Sequence, residues 1–549
     1  MAEPIFSTSC PNCGGTVHTH TASAITLVCP YCRSALIREG DTVAQSGVTA
    51  AVLEDFTALR IGTTGVWSGR PFTLIGRLQA GYAHGQWNEW HALFADGSTG
   101  WLSEAGDQFV FTLPLGADDA GAPRVPEFDA VTPALTTCTF RNAQYVAADK
   151  REIFRPQTGM EGELPYSPAQ IPARARVIDW RHQDRFLTTD YGDGSQPPEV
   201  FYGSIVTLDE LRLGNLRPPE EVRKRAGHLK GDWQHHGCPN CGGSLTWPAG
   251  LTIQIHCQHC HSRIAVTSER LRLIEAENRQ QAFVRGASLR VGDSGTVCGT
   301  HWTVIGIVRH QEYPPLPVPW DAEDIDRRRW RPDGLPWWNE YLLYQPERGF
   351  NWLVESRTEH GETKWFEAET LRAWPTGIVP ARHPTGARSG DYYASRVTDV
   401  SGAFYWQVAE GDVTTYFQTF EVGNDLCAAI TPDELVWSRQ KPIAPLSPTP
   451  APAAAVDIWR KRIDGSASAS GAKLTGKDFH FIARADDDED DDENLPLSRN
   501  PRHYVPLALF TLANLPPVWH CLATGNSDLL FLTFIGGYLL LPRERSTAS

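Results

Sequence analysis

Cys10-Pro11-Asn12-Cys13 and Cys29-Pro30-Tyr31-Cys32 decide how this chain is read. Fifteen residues separate the two Cys-x-x-Cys pairs. The device returns as Cys238-Pro239-Asn240-Cys241 and Cys257-Gln258-His259-Cys260, again fifteen residues apart. A tetrahedral Zn²⁺ takes four soft ligands, and a Cys-x-x-Cys turn presents two thiolates to one metal. Each quartet predicts a closed structural site, two Zn²⁺ per chain, with no coordination position left for a substrate. Gly14-Gly15 and Gly242-Gly243 follow the first pair of each quartet and permit the tight turn. Redox pairs are the alternative, but four cysteines at ribbon spacing, twice, favour metal. So small a ribbon buries little surface, and the metal is expected to supply much of its folding free energy. His18, His20, His256, His259 and His261 flank the knuckles; they could substitute as ligands, but the reading favoured is that they are surface residues.

Working outward, the pattern after each ribbon is strand and turn. Residues 59–67, 71–77, 87–94, 100–104 and 109–111 are short β-branched and aromatic runs bounded by Gly or by Asp96-Gly97. Such runs are hairpin signals of an antiparallel barrel or sandwich. The order then starts again. Leu289-Arg290-Val291-Gly292 mirrors Leu59-Arg60-Ile61-Gly62, and Trp338-Asn339-Glu340-Tyr341 mirrors Trp87-Asn88-Glu89-Trp90. Trp352-Leu353-Val354-Glu355 mirrors Trp101-Leu102-Ser103-Glu104.

The expected fold is mainly β: two zinc ribbons, each followed by an antiparallel barrel or sandwich-like domain, in tandem duplication. The expected boundaries are ribbon 1 at 1–40, β-domain 1 at 55–215, ribbon 2 at 235–267 and β-domain 2 at 285–440. A Pro/Ala and acidic linker follows at 441–500, then an apolar tail at 504–542. Residues 41–58 are read as a connector and 214–236 as a linker. Residues 268–284 are the best short helix candidate, and 313–336 an excursion loop.

Composition narrows the function. The net charge of −15 disfavours a nucleic-acid partner, because phosphate affinity depends on Lys and Arg. Eight of the twelve cysteines stand in the knuckles, and thiolates held for metal imply a reducing, cytoplasmic setting. Asp486 to Glu493 is an unbroken run of eight carboxylates, which repel one another and stay solvated. The tail has two apolar stretches, 504–522 broken by Pro516-Pro517 and the shorter 529–541. Neither meets the ~20-residue rule for a spanning helix cleanly; a membrane hairpin is the expectation, and a buried or interfacial apolar tail packed on the protein is the alternative. Gly471 to Lys477 nearly spells a phosphate-binding loop, but Asp478 stands where Ser or Thr is needed, and no strand precedes it.

Trp87, Asn88, Glu89, Trp90 and Glu104, with Trp338, Asn339, Glu340, Trp352 and Glu355, are the candidate ligand cleft. Aromatic residues in strands ordinarily supply packing surface, and that reading is favoured. The alternative is a cleft that receives a cation such as a polyamine through aromatic and carboxylate contacts. No catalytic residue is assigned.

Residues 59–65, Ile75-Gly76-Arg77, Trp87 to Trp90 and Gly100 to Glu104 resemble the bacterial family known as domain of unknown function 4178. The resemblance covers about 10–215 and 238–440. In the second copy Cys298 replaces Ser68, and the Asp-Gly turn is missing. The resemblance implies zinc ribbons ahead of the β-domain. It also implies a context of aminopropyltransferase-like enzymes and small membrane proteins in envelope stress. The reading that joins these strands is a non-enzymatic scaffold at the cytoplasmic face of the membrane, binding protein partners. The alternative is an accessory or small-ligand-binding protein of an enzyme system.

Overall fold

The computed structural model describes residues 4–445 and 478–483 apart from short breaks, the longest at 117–121, 278–283, 358–362, 382–389 and 420–424. Residues 1–483 form one compact unit, and the expected tail lies outside the described residues. Among the described residues no helix is long and apolar enough to cross a membrane.

Ribbon 1 consists of β1 (Phe6–Ser9), β2 (Thr16–Thr19), β3 (Thr26–Val28), β4 (Ser34–Glu39) and β5 (Thr42–Thr49). Its last strand occupies what the sequence suggested was connector. Barrel 1 begins with β6 (Thr64–Trp67), β7 (Arg70–Tyr82), β8 (Gly85–Phe94), β9 (Thr99–Ala105) and β10 (Gln108–Pro114). After a crossing segment come β11 (Thr137–Phe140), β12 (Ala143–Phe154), β13 (Met160–Leu164), β14 (Arg174–His182), β15 (Arg185–Asp190) and β16 (Glu199–Val206). Eight of these close a ring in the order β7-β8-β9-β10-β16-β15-β14-β12, with β12 returning to β7, every pair antiparallel.

The second copy repeats this wiring. Helix α1 (Pro219–Ala226) interrupts the expected linker. Ribbon 2 then runs through β17 (Trp233–Gly237), β18 (Ser244–Pro248), β19 (Gln254–His256), β20 (Arg263–Thr267) and β21 (Arg270–Glu275). The strand β21 falls where a helix was expected. Leu271 and Leu273 stand two apart between Arg residues, a strand period, and β21 pairs with β20. Barrel 2 consists of β22 (Ser294–Val297), β23 (Thr300–Tyr313), β24 (Trp337–Gln345), β25 (Gly349–Arg357), β26 (Thr363–Thr370), β27 (Gly390–Phe404), β28 (Val413–Thr419), β29 (Asp425–Ile430) and β30 (Leu435–Pro445). Its ring is β23-β24-β25-β26-β30-β29-β28-β27, with β27 closing on β23. The expected excursion between β23 and β24 is packed rather than free. It holds α2 (Ala322–Asp326), and Leu316 and Trp320 are buried in a core with Trp437. Ser68 and Cys298, matched in the sequence, both take a left-handed turn conformation, at φ 50° and 46°.

The β7–β10 sheet has two working faces. One face closes over an apolar core of Leu59, Phe72, Leu74, Trp90, Leu102, Phe111 and Leu211. The segment after β16 completes that enclosure by bonding to β6, through Gly214 to Thr64 and Leu211 to Val66. In copy 2 the same closure is made by β31 (Asp478–Ala483), which lies parallel to β22 and antiparallel to β30 and buries Phe481. The other face of β7–β10 looks across the eight-stranded ring.

The ribbons are sewn into the barrel walls. β3 pairs with β13, which itself pairs with β7; β19 pairs with β27. His20 reinforces the first seam, its backbone N–H donating to the buried Glu163 carboxylate at 2.9 Å. The barrels also join each other. Lys150 N–H donates to Asp433 O at 2.9 Å, and Arg181 to Arg372 O at 2.6 Å. Ala134, Val146 and Ala148 share one buried core with Trp374, Phe417 and Trp437.

Candidate metal centres and barrel lumens

The first quartet brings Cys10, Cys13, Cys29 and Cys32 together, and the second Cys238, Cys241, Cys257 and Cys260. Within each, the sulfurs lie within 4.8 Å of one another. Cys10–Cys32 and Cys13–Cys29 are each 3.7 Å apart, Cys238–Cys260 is 3.9 Å and Cys241–Cys257 is 3.8 Å. Zn–S bonds of 2.3 Å in a tetrahedron put sulfurs about 3.8 Å apart, whereas a disulfide needs about 2.05 Å. The donor set therefore fits a tetrahedral four-thiolate metal. Gly14 and Gly242, at φ +75° and +74°, make the turns that aim the first pairs.

A shell around the sulfurs repeats in both centres. Asn12 Nδ2 donates to Ser34 Oγ at 2.9 Å, and Asn240 Nδ2 to Ser262 Oγ at 2.9 Å. Those hydroxyls lie 3.4 Å from Cys32 Sγ and 3.2 Å from Cys260 Sγ. The Ser34 side chain and amide draw the Cys32 thiol down to about 5. Against burial, the Ser262 hydroxyl and amide draw Cys260 down to about 6. One sulfur of each quartet is thus drawn toward the thiolate, while Cys13, Cys241 and Cys257 are raised, and the Asn–Ser shell orients the lowered sulfur. Sequence reasoning missed this shell, although Asn after Cys-Pro and Ser two residues past the last cysteine occur in both copies. It also misplaced two histidines. His256 and His261 are buried, because β19 and the second knuckle pack against β27 and the following loop; the His256 ring bonds Val408 O at 2.8 Å.

The structure divides the predicted cleft residues between two faces. Asn88 pairs with Glu104 across β8 and β9, and Asn339 with Glu355 across β24 and β25. Both carboxylates point into the apolar core. Glu104 accepts from Thr57 Oγ1 at 2.7 Å, Asn88 at 3.1 Å and the Trp90 indole at 3.1 Å. Glu355 accepts from the Ser288 amide at 3.1 Å, Asn339 at 3.0 Å and the Tyr341 hydroxyl. Each therefore pins the segment entering its barrel, and a buried carboxylate with this many donors is satisfied in place. Glu104 and Glu355 are structural anchors and do not share a face with Glu89 and Glu340, because adjacent strand residues face opposite ways.

Trp87, Glu89, Trp338, Glu340 and Trp352 lie on the lumen side. Glu89 accepts from the Trp87 indole at 2.5 Å and from Ser103 Oγ at 2.6 Å. Asp179, on β14 across the ring, accepts from Thr188 at 2.7 Å. Burial raises Glu89 above the ordinary carboxylate range; burial, then Asp149, pushes Asp179 up to about 7. Nearby Arg151 pairs with Asp149 at 2.5 Å, and Arg155 with Asp190. In lumen 2, Glu340 accepts from the Trp338 indole at 3.0 Å and lies 3.4 Å from His310 Nε2. His310 Nδ1 is 3.0 Å from Ser395 Oγ. This is not a serine nucleophile site, since Ser395 is wholly buried and offers no approach to a substrate. Trp352 packs on Trp406 at 5.1 Å. A cavity of about 3180 Å³ is lined by residues of both lumens, among them Glu89, Asp179, His310 and Glu340. Asp179 escaped the sequence reading because only ring closure brings β14 to Glu89, and His310 because the long segment between β23 and β24 hides their pairing.

No curated protein and no solved structure gives a significant match to the chain. A family model described as Domain of unknown function (DUF4178) matches residues 60–207. That span starts in the segment buried beneath β7–β10 and ends one residue past β16, so it takes in the whole first ring without its ribbon. It is thus the first barrel, residues 60–207, that is similar to the DUF4178 family.

Proposed function

We propose that this protein is a non-catalytic, zinc-stapled scaffold that holds protein partners at the cytoplasmic face of the bacterial membrane. The observation that carries the reading is the seam between ribbon and barrel. Each four-cysteine ribbon continues a barrel wall, through β3–β13 and β19–β27, so metal binding stiffens the platform as well as the ribbon. The shared core between the barrels makes that platform one body. The apolar stretches at 504–542 supply the membrane contact, and the family resemblance points to membrane proteins and an aminopropyltransferase-like enzyme as partners. Cell fractionation tests this reading. Full-length protein is expected in the membrane fraction with its partners, and a chain ending at residue 490, which keeps β31, in the soluble fraction. Equal distribution of the two would remove membrane anchoring.

A second reading is favoured by the chemistry of lumen 1: a binding protein for a small cationic, polyamine-like ligand. Glu89 and Asp179 face this lumen, and among the described residues neither carboxylate has a Lys, Arg or His within ion-pair distance. Arg155 and Arg151 act on them only from beyond ion-pair distance, and carboxylates drawn out of water with no cation in direct contact favour a cationic guest.

A further inference from the structure

The two lumens differ at one wall position. In barrel 2, His310 on β23 stands opposite Trp338 on β24. Its ring stacks on the indole with centroids 5.3 Å apart and planes 11° from parallel. One step along, Val308 stands opposite Glu340. In barrel 1 the equivalent pairs are Ala80 opposite Trp87 and Leu78 opposite Glu89. The contact from indole N–H to carboxylate is kept in both copies. Barrel 1 thus holds the same indole and carboxylate, with a methyl group where barrel 2 has an imidazole.

We propose that lumen 1 binds the planar cationic head of a small molecule, a guanidinium or imidazolium, against Trp87 and Glu89, in the place His310 fills in lumen 2. This rests on the ligand-binding reading of that lumen. A flat, delocalised cation stacks on an indole face while its N–H groups reach the carboxylate; a rounder, strongly hydrated ammonium does this less well. Three arginines line the cavity near this place, and Arg151 pairs with Asp149, Arg155 with Asp190, and Arg181 donates to Arg372 O. Tyr82, Ser103, Asp179 and Thr188 line the same cavity. The electrostatics agree. Against burial, His310 pulls Glu340 below the ordinary carboxylate range, while Glu89, without such a ring, is raised.

Calorimetric titration of full-length, zinc-loaded protein with methylguanidinium tests the proposal, with spermidine as the comparison. Saturable binding with a Kd of about 1 mM or tighter is expected for methylguanidinium. Glu89→Gln is expected to weaken it at least about tenfold, equivalent to about 1.4 kcal/mol. Ala80→His, which installs the ring of barrel 2, is expected to abolish it. Unchanged zinc content and Tm establish that both variants are folded. Absence of saturable methylguanidinium binding, or full binding by Ala80→His, overturns the proposal. If spermidine alone binds, and Glu89→Gln loses it, the lumen remains a cation site and the planar-head inference falls. If neither binds, both fall.

Discussion

Replacing Cys29 by Ser is expected to reduce bound zinc from two ions per chain to one and to release ribbon 1 from barrel 1. Cys29 is fully buried, and its sulfur lies 3.7 Å from that of Cys13. Three thiolates and a hydroxyl hold zinc far less tightly than four thiolates, and structural zinc contributes about 10–16 kcal/mol to small metal-dependent folds. Ribbon 1 retains barrel contacts through β3 and through His20 to Glu163, so part of that loss is absorbed. A destabilisation of several kcal/mol, about 5, is the expected residue. Metal analysis and thermal denaturation read it directly. A variant with both ions and an unchanged Tm would show that Cys29 is not a ligand.

The second large effect is expected at Gly162. Here β13 crosses β7 with Gly162 opposite Gly76, beside a register shift between Leu74 and Gly76. A Cβ on Gly162 would sit 2.2 Å from Ile75 O, and one on Gly76 would sit 2.0 Å from Glu163 O. Gly162 also has φ +72°, a conformation that costs other residues energy. Clash and strain together put Gly162→Ala at about 3 kcal/mol or more. Gly97, in the Asp-Gly turn, has φ +84° but nothing within 4 Å, so Gly97→Ala is expected to cost only about 1 kcal/mol. Urea denaturation of the pair separates packing from backbone strain. Equal losses would mean that the crossing is not tightly packed. Barrel 2 repeats the crossing with Gly402 opposite Gly306, which argues that the contact belongs to the architecture.

What the sequence revealed follows from how local each signal is. Ligand spacing and hairpin punctuation are written within a few residues, so the quartets, the tandem repeat and the β class were legible. The Trp-Asn-Glu segments were found but read as one group, because spacing alone does not say which neighbours share a face until register is known. Asn88 and Glu104 then proved to anchor Thr57, while Glu89 faces the lumen. Ring closure was out of reach as well. Asp179 and Glu89 stand ninety residues apart, and nothing local links them. The short β31 was hidden for a related reason: its role is taken in copy 1 by residues immediately after β16, and in copy 2 by a segment beyond the Pro/Ala stretch.

Two closed four-thiolate centres are expected to staple this double-barrel platform. Zinc K-edge absorption of the purified full-length protein, with metal quantified on the same sample, tests it most directly. Two Zn²⁺ per chain are expected, each with four sulfurs at about 2.3 Å and no nitrogen or oxygen ligand. One ion or none, or a first shell containing nitrogen or oxygen, would contradict it.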